Sequence, residues 1–165
     1  MSTKRLDFSA QLTINDVSFR VRPVKSTDIE TLRVWKNNNK QFFHNKDTIT
    51  PEQQTAWFEQ FSKDITQQLF VCEVGTNPVA CVGYREKTPE VVELFNLICG
   101  HPEFAGQGHM TRFYEETVNQ LKGKGIVAVE LEVLKHNEKA IKWYLSRGYK
   151  QVGEGADFLK LSHTL

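Results

Sequence analysis

The chain has 165 residues, with 21 Lys and Arg against 20 Asp and Glu, 39% hydrophobic residues and three cysteines. A chain of this length buries roughly 70% of the surface its unfolded form exposes, which argues for one compact domain and against two. A formal charge of +1 sets up no long-range field toward nucleic acid or an anionic membrane surface, so neither is expected as a partner.

No apolar run approaches the roughly 20 residues needed to cross a bilayer. Residues Met1 to Asp7 also lack the apolar core of a secretory signal. Cys72, Cys81 and Cys99 are odd in number and each sits in an apolar run. They read as reduced, buried hydrophobes and not as a disulfide or zinc framework, and the cytoplasm is the expected compartment.

Residues 1–10 show no period and read as a loosely held lead-in to a domain covering 11–165. Residues 11–14 and 17–24 flank Asn15-Asp16, and Val17, Phe19 and Val21 alternate with polar residues, the pattern of a hairpin. Thr27-x-x-Glu30 has the form of a capping box, followed by Ile29, Leu32 and Trp35 at helical spacing. A second start is stronger: Thr50 as cap, Pro51 at the first helical position, Gln53 three residues after the cap, and Trp57, Phe58, Phe61 and Ile65 on one face. Residues 68–74 and 79–85 form a strand, turn, strand pattern around Gly75-Thr76-Asn77-Pro78, and residues 91–100 read as another strand.

A helix follows with Met110, Phe113, Tyr114, Thr117, Val118 and Leu121 on one face, closing at Gly123-Lys124-Gly125. Residues 127–134 alternate as a strand, 137–147 form a helix with Ala140, Ile141, Tyr144 and Leu145 inward, and 149–152 and 158–161 complete the sheet. The last strand is an open edge, a homodimer seam or a covered strand. The expected fold class is therefore α/β (α+β): a mixed, mostly antiparallel twisted sheet of six to seven strands with about four helices on its faces.

The segment Ala105-Gly106-Gln107-Gly108-His109-Met110 lies between a strand and a helix. Two glycines let a ligand approach the backbone closely, and the helix start points unpaired N–H groups into the loop, which suits a diphosphate. A P-loop is excluded because no Gly-Lys-Ser/Thr follows, and a Rossmann fingerprint because the third glycine is missing.

His101-Pro102-Glu103-Phe104-Ala105-Gly106-Gln107-Gly108-His109-Met110, together with Asn137-x-x-Ala140-x-x-x-Tyr144-x-x-x-Gly148-Tyr149, resembles the acetyl-CoA loop and the following helix of the GNAT superfamily of N-acetyltransferases. The resemblance covers about the C-terminal third and implies acetyl-CoA as co-substrate. The pyrophosphate would lie on the backbone of Ala105, Gly106, Gln107, Gly108, His109 and Met110, with the Thr111 hydroxyl adding a donor. Ala105 stands where the family has a basic or amide residue and Met110 where it has a small one, and backbone donation needs neither side chain.

The resemblance also places the pantetheine arm beside Ile98, Cys99 and Gly100, with Asn137 holding it and Ala140 leaving room. It makes Tyr144 the acid that protonates the leaving thiolate. With neither a net charge nor a loop arginine to help, coenzyme binding is expected to depend on loop geometry more than on salt.

The acceptor amine must lose a proton before it can attack. Glu93 is the one acid on its strand, set among apolar residues that would raise its pKa, and Phe95 occupies the position where relatives keep an acid. Trp35-Lys36-Asn37, followed by Glu52-x-Gln54-x-x-Trp57-Phe58, resembles GNAT enzymes that acetylate nucleotide-linked amino sugars or ribosomal-protein N-termini. Trp35, Asn37, His44 and Phe95 are the corresponding substrate candidates. The function implied is direct acetyl transfer to a primary amine, with a small amine or an N-terminal peptide as acceptor. The leading acceptor is a nucleotide-linked amino sugar, and the alternatives are a protein or ribosomal N-terminal acetyltransferase and a non-catalytic acyl-CoA-binding module of the same fold. No histidine has partners at metal-ligand spacing, and no metal is expected.

Overall fold

The computed structural model describes residues 5–7, 9–14, 16–106 and 108–165. Its elements are β1 (Ala10–Ile14), β2 (Val17–Pro23), α1 (Ile29–Asn38), α2 (Pro51–Lys63), β3 (Gln67–Val74), β4 (Asn77–Thr88), β5 (Val91–Cys99), α3 (His109–Gly123), β6 (Ala128–Leu134), α4 (Glu138–Leu145), β7 (Lys150–Glu154) and β8 (Phe158–Thr164). Eight strands make one sheet in the order β1-β2-β3-β4-β5-β6-β8-β7. The first hairpin contributes two full strands, which gives one more than the upper expectation. Strand β8 lies between β6 and β7, so of the three alternatives it is the covered one.

Side chains alternate across β3 and divide the interior into two layers. Leu69 and Val71 face α1 and α2, packing with Leu32, Trp35, Phe61, Cys81 and Ile98. Phe70 and Cys72 face the other way, into the larger cluster that includes Phe113, Tyr114 and Leu121 of α3 and Tyr144 of α4. Each large side chain fully buried in these layers stabilises the fold by roughly 1.5–3 kcal/mol.

Helix α2 starts as its sequence predicts: Gln53 N–H donates to Thr50 Oγ1 at 3.2 Å, and Thr50 N–H donates to Gln53 Oε1 at 2.9 Å. Its apolar face ends earlier than expected, because Ile65 lies beyond the helix and is 59% exposed. Helix α1 departs from expectation. Thr27 makes no cap; a 3-10 turn over Ser26–Asp28 precedes the helix, and Asp28 accepts from Lys25 N–H at 2.7 Å. Arg22 explains the difference, because its guanidinium holds both Asp28 oxygens, at 2.7 and 2.9 Å, and reaches Glu73 at 2.9 Å. Asp28 and Glu73 are both nearly fully buried.

Leu6 is buried, and its N–H and carbonyl bond to the Gln68 side chain. In α4, Leu145 points outward instead of inward and is half exposed. Among the described residues no helix is long and apolar enough to cross a membrane.

Candidate active site

Among the described residues the only parallel neighbours in the sheet are β5 and β6, joined by the crossover through α3, and they pair at Val91↔Ala128, Val92↔Val129 and Glu93↔Glu130. Beyond Glu93 they separate. The cause lies in β5: between its pairings with Cys81 and Gly83 of β4 it carries one extra residue, and Asn96 adopts φ 50°. A bulge of this kind bends its strand. Asparagine tolerates the left-handed region better than its apolar neighbours would. Its carbonyl accepts from the Cys81 thiol at 3.2 Å. The backbone of β5 past Glu93 consequently has β4 on one side and an open wedge on the other. An asparagine inside the run Phe95-Asn96-Leu97 was the available sequence signal, and strand alternation alone does not find it.

A cavity of about 870 Å³ opens at this wedge, lined by Leu97, Ile98 and Cys99 of β5, Met110 of α3, and Asn137, Ala140 and Tyr144 at α4. Gly108 caps α3 at φ 86°, a conformation that suits glycine. Among the described residues the amides of Gly108, His109 and Met110 have no hydrogen-bond partner. Ala105 differs from expectation, since its N–H donates to the Pro102 carbonyl at 3.0 Å and is not available to a ligand. Gln107 lies outside the described residues.

The His109 side chain packs into the interior. It is buried between Phe19, at 4.6 Å between centroids, and Phe104 at 5.4 Å, so only its backbone faces the loop. Thr111 Oγ1 accepts from Arg147 at 2.8 Å, which leaves its own hydrogen to donate. Gly100 donates its N–H to Val79 at 2.8 Å. It must be glycine, because a Cβ there would stand 1.9 Å from the Trp35 indole. Asn137 caps α4 weakly with its oxygen, 3.4 Å from Ala140 N. Lys139 and Lys142 line the same cavity. With Arg147 bonded to Thr111, they bring cations from α4 and the turn after it to the cofactor side, which the expectation drawn from net charge and the loop's own residues left out.

Tyr144 sits on the wall between this cavity and a second of about 570 Å³, which extends past Glu93, Phe95 and Asn96 to Phe43, His44, Trp57 and Arg85. Burial, helped by Tyr114, pushes the Tyr144 phenol above its ordinary value of 10, so it holds its proton at neutral pH. No described residue hydrogen-bonds to it. Glu93 does not have the apolar surroundings expected of it: Arg85 Nε and Lys87 Nζ each lie 3.3 Å from its carboxylate. The Arg85 guanidinium stacks on Phe95, 5.0 Å from the ring centroid.

His44 reaches across the wedge to Glu132 of β6, Nε2 to oxygen 2.9 Å, and His136 Nε2 bonds to the Gln41 carbonyl at 2.8 Å. The segment between α1 and α2 thus roofs the cleft. Trp35 and Asn37 do not line it. Trp35 is 6% exposed beneath Gly100, and the Asn37 amide is occupied at both ends by the Ile49 backbone, at 2.8 and 3.0 Å.

Cys99 points its thiol at the His101 carbonyl, 3.3 Å away, and burial pushes its pKa up. Cys72 and Cys81 are buried with thiols pushed up to about 12. Among the described residues no group of three or more His, Cys, Asp or Glu is placed to hold a metal.

The splayed parallel pair, the start of α3 and the buried phenol where two cavities meet together form a cleft in an α/β sheet. The sequence profile of the Acetyltransferase (GNAT) family matches residues 31–149, and the chain belongs to that family. No curated protein matches the chain.

Solved structures share the fold. A domain from Methanocaldococcus jannaschii superposes with a TM-score of 0.79 at 21% identity, covering 91% of this chain and 100% of that one. Spermidine N-acetyltransferase from Vibrio cholerae, in complex with CoA and spermine, gives 0.74 at 18% identity over 88% and 95%. FdhC, a nucleotide-linked sugar GNAT, gives 0.73 at 17% identity over 95% and 91%.

Proposed function

We propose that the chain moves the acetyl group of acetyl-CoA directly to a primary amine in a ternary complex, and that the amine belongs to a nucleotide-linked amino sugar. The observation that carries this is Tyr144, a proton-holding phenol on the wall shared by the two cavities that flank the wedge. In this reading the open backbone of β5 near Ile98 pairs with the pantetheine amides as an added strand would. The amides of Gly108, His109 and Met110, the Thr111 hydroxyl and the ammonium groups of Lys139 and Lys142 receive the phosphates. Bound acetyl-CoA supplies the thioester that donates the acetyl group. Tyr144 gives its proton to the departing thiolate, and Glu93 takes the amine's proton through water.

The His44–Glu132 pair favours a second base within the same reading, since an imidazole oriented by a carboxylate lines the same cavity. A covalent acetyl-cysteine route fits poorly, because Cys99 sits beside a carbonyl oxygen and has a raised pKa.

The aromatic wall of Phe42, Phe43 and Trp57 supports a ring-bearing acceptor, on which bases and sugars stack. Fold neighbours that act on nucleotide-linked sugars and on spermidine are in keeping with amine acetylation. Phe95, standing where an acid was expected, is what supports the non-catalytic alternative. The deciding experiment is a coupled thiol-release assay with nucleotide-linked amino sugars, polyamines, aminoglycosides and N-terminal peptides. Turnover is expected with an amino sugar nucleotide. Acetyl-CoA binding without consumption across the whole panel would favour the non-catalytic module.

A further inference from the structure

A third cavity, of about 330 Å³, continues from the second on the side away from Tyr144. The two share Lys36, Asn45, Trp57 and Asn96, so Lys36 on α1 stands where one opens into the other. The other charges on the second cavity's wall are matched, Glu93 by Arg85 and Lys87 at 3.3 Å and Glu132 by His44 at 2.9 Å. Lys36 is not. Its ammonium lies over the Phe43 ring, 5.0 Å from the centroid, and no described carboxylate comes within salt-bridge distance.

Burial, with Arg85 acting in the same direction and Cys81 against it, pushes the Lys36 amine below its ordinary value. An unpaired ammonium held partly out of water is costly, and an anion placed beside it relieves that cost. Around it the third cavity offers the Asn45, Gln53 and Gln54 amides as donors. Asp47 is the one carboxylate on its wall and is exposed, so water screens its repulsion.

We propose that Lys36 and the third cavity receive an anionic group, a carboxylate or a phosphate, carried by the acceptor at the end remote from its amine. The proposal rests on the reading of the second cavity as the acceptor site and assigns the residue that meets the acceptor's anion, which in a nucleotide-linked amino sugar is the diphosphate. A polyamine would bring a second ammonium toward Lys36 and is disfavoured by the same geometry. A charge-assisted pair of this kind is expected to contribute about 10–100-fold in acceptor affinity.

The test compares matched acceptors: glucosamine 6-phosphate against glucosamine for phosphate, and ornithine against putrescine for carboxylate. Each is measured as KM in acetyl transfer and as Kd by calorimetry with CoA bound, for wild type, Lys36→Met and Lys36→Arg. The anionic member of at least one pair should bind about 10–100-fold more tightly to wild type. Which pair responds identifies the source of the charge. Lys36→Met should abolish the preference, read as a loss of about 10–100-fold in KM and Kd for the anionic member and little change for the member without the anion, and Lys36→Arg should keep most of it. An equal acetyl-CoA thermal shift in all three proteins establishes that they fold alike. If no amine is acetylated, the transfer reading fails, while calorimetry still decides the anion site. Equal affinity for both members of each pair in wild type, or a preference that survives in Lys36→Met, overturns the proposal.

Discussion

At the scale of single residues the separation of acid from base can be tested. Tyr144→Phe removes a hydroxyl that no described residue bonds to, so it should leave packing and coenzyme binding nearly intact. General acid catalysis contributes about 10²–10⁴ in rate, and kcat should fall toward that range while the acetyl-CoA thermal shift stays constant. Because the Tyr144 pKa is raised above 10, loss of its proton cannot produce an alkaline limb below pH 10 in wild type. A limb near neutrality that disappears in Tyr144→Phe would show that the phenol loses its proton there and would contradict the raised pKa, whereas an unchanged kcat in Tyr144→Phe would remove Tyr144 from the role of acid. The base is resolved in the same experiment: Glu93→Gln and His44→Ala should differ, and the one that abolishes the acidic limb of kcat/KM identifies the group that takes the proton. Only the family resemblance of Asn137-x-x-Ala140-x-x-x-Tyr144 singles Tyr144 out in the sequence, since helical spacing alone reads it as a core tyrosine; the structure places it on the wall of both cavities. The cations around Glu93 were not legible as its partners. They come from β4, and only the register Arg85↔Glu93 brings them alongside.

Among the elements, the cleft depends on two places where the backbone is constrained. One is the bulge at Asn96. The other is the approach of Trp35 to Gly100, which lets α1 lie flat on the end of β5. A methyl group at Gly100 would overlap the indole at 1.9 Å, with ring atoms that have no free end to swing aside. Gly100→Ala is therefore expected to destabilise by about 1–3 kcal/mol through overpacking, read as a lower midpoint in urea with an unchanged slope. A wild-type midpoint would show that α1 shifts at no cost. Elements were legible wherever local chemistry decides them, as in the Thr50-Pro51-x-Gln53 start of α2. Local chemistry misplaced the start of α1, because Arg22, on another element, claims Asp28. The pairing of β8 with β6 was out of reach of periodicity, since alternation marks a strand but not its neighbour.

For the whole molecule, the near-neutral sum of charges conceals a buried set that governs stability at low pH. Arg22 joins Asp28 and Glu73 beneath the first sheet strands, with Arg20 bonded to Glu73 from its exposed side. Desolvation alone would raise both carboxylates, but the hydrogen bonds outweigh it: Arg22 and the Lys25 amide hold Asp28 below its ordinary 3.8, and Arg20 and Arg22 hold Glu73 below its ordinary 4.5. A carboxylate whose folded pKa lies below its unfolded value binds fewer protons when folded. Its contribution is complete above the unfolded value and is lost as pH falls through the folded one. Thermal stability should therefore hold between pH 7 and 5, begin to fall near 4.5 and continue falling below 3.8. Arg22→Met leaves two carboxylates buried without their shared partner and should cost about 3–5 kcal/mol at pH 7. In that variant the sign reverses at Asp28, which loses its guanidinium and favours protonation while Glu73 keeps Arg20, so part of the lost stability should return on acidification from pH 7 toward 5. Parallel melting curves for wild type and Arg22→Met across that range decide it, and a variant that weakens in step with wild type would show that other groups control the acid limb.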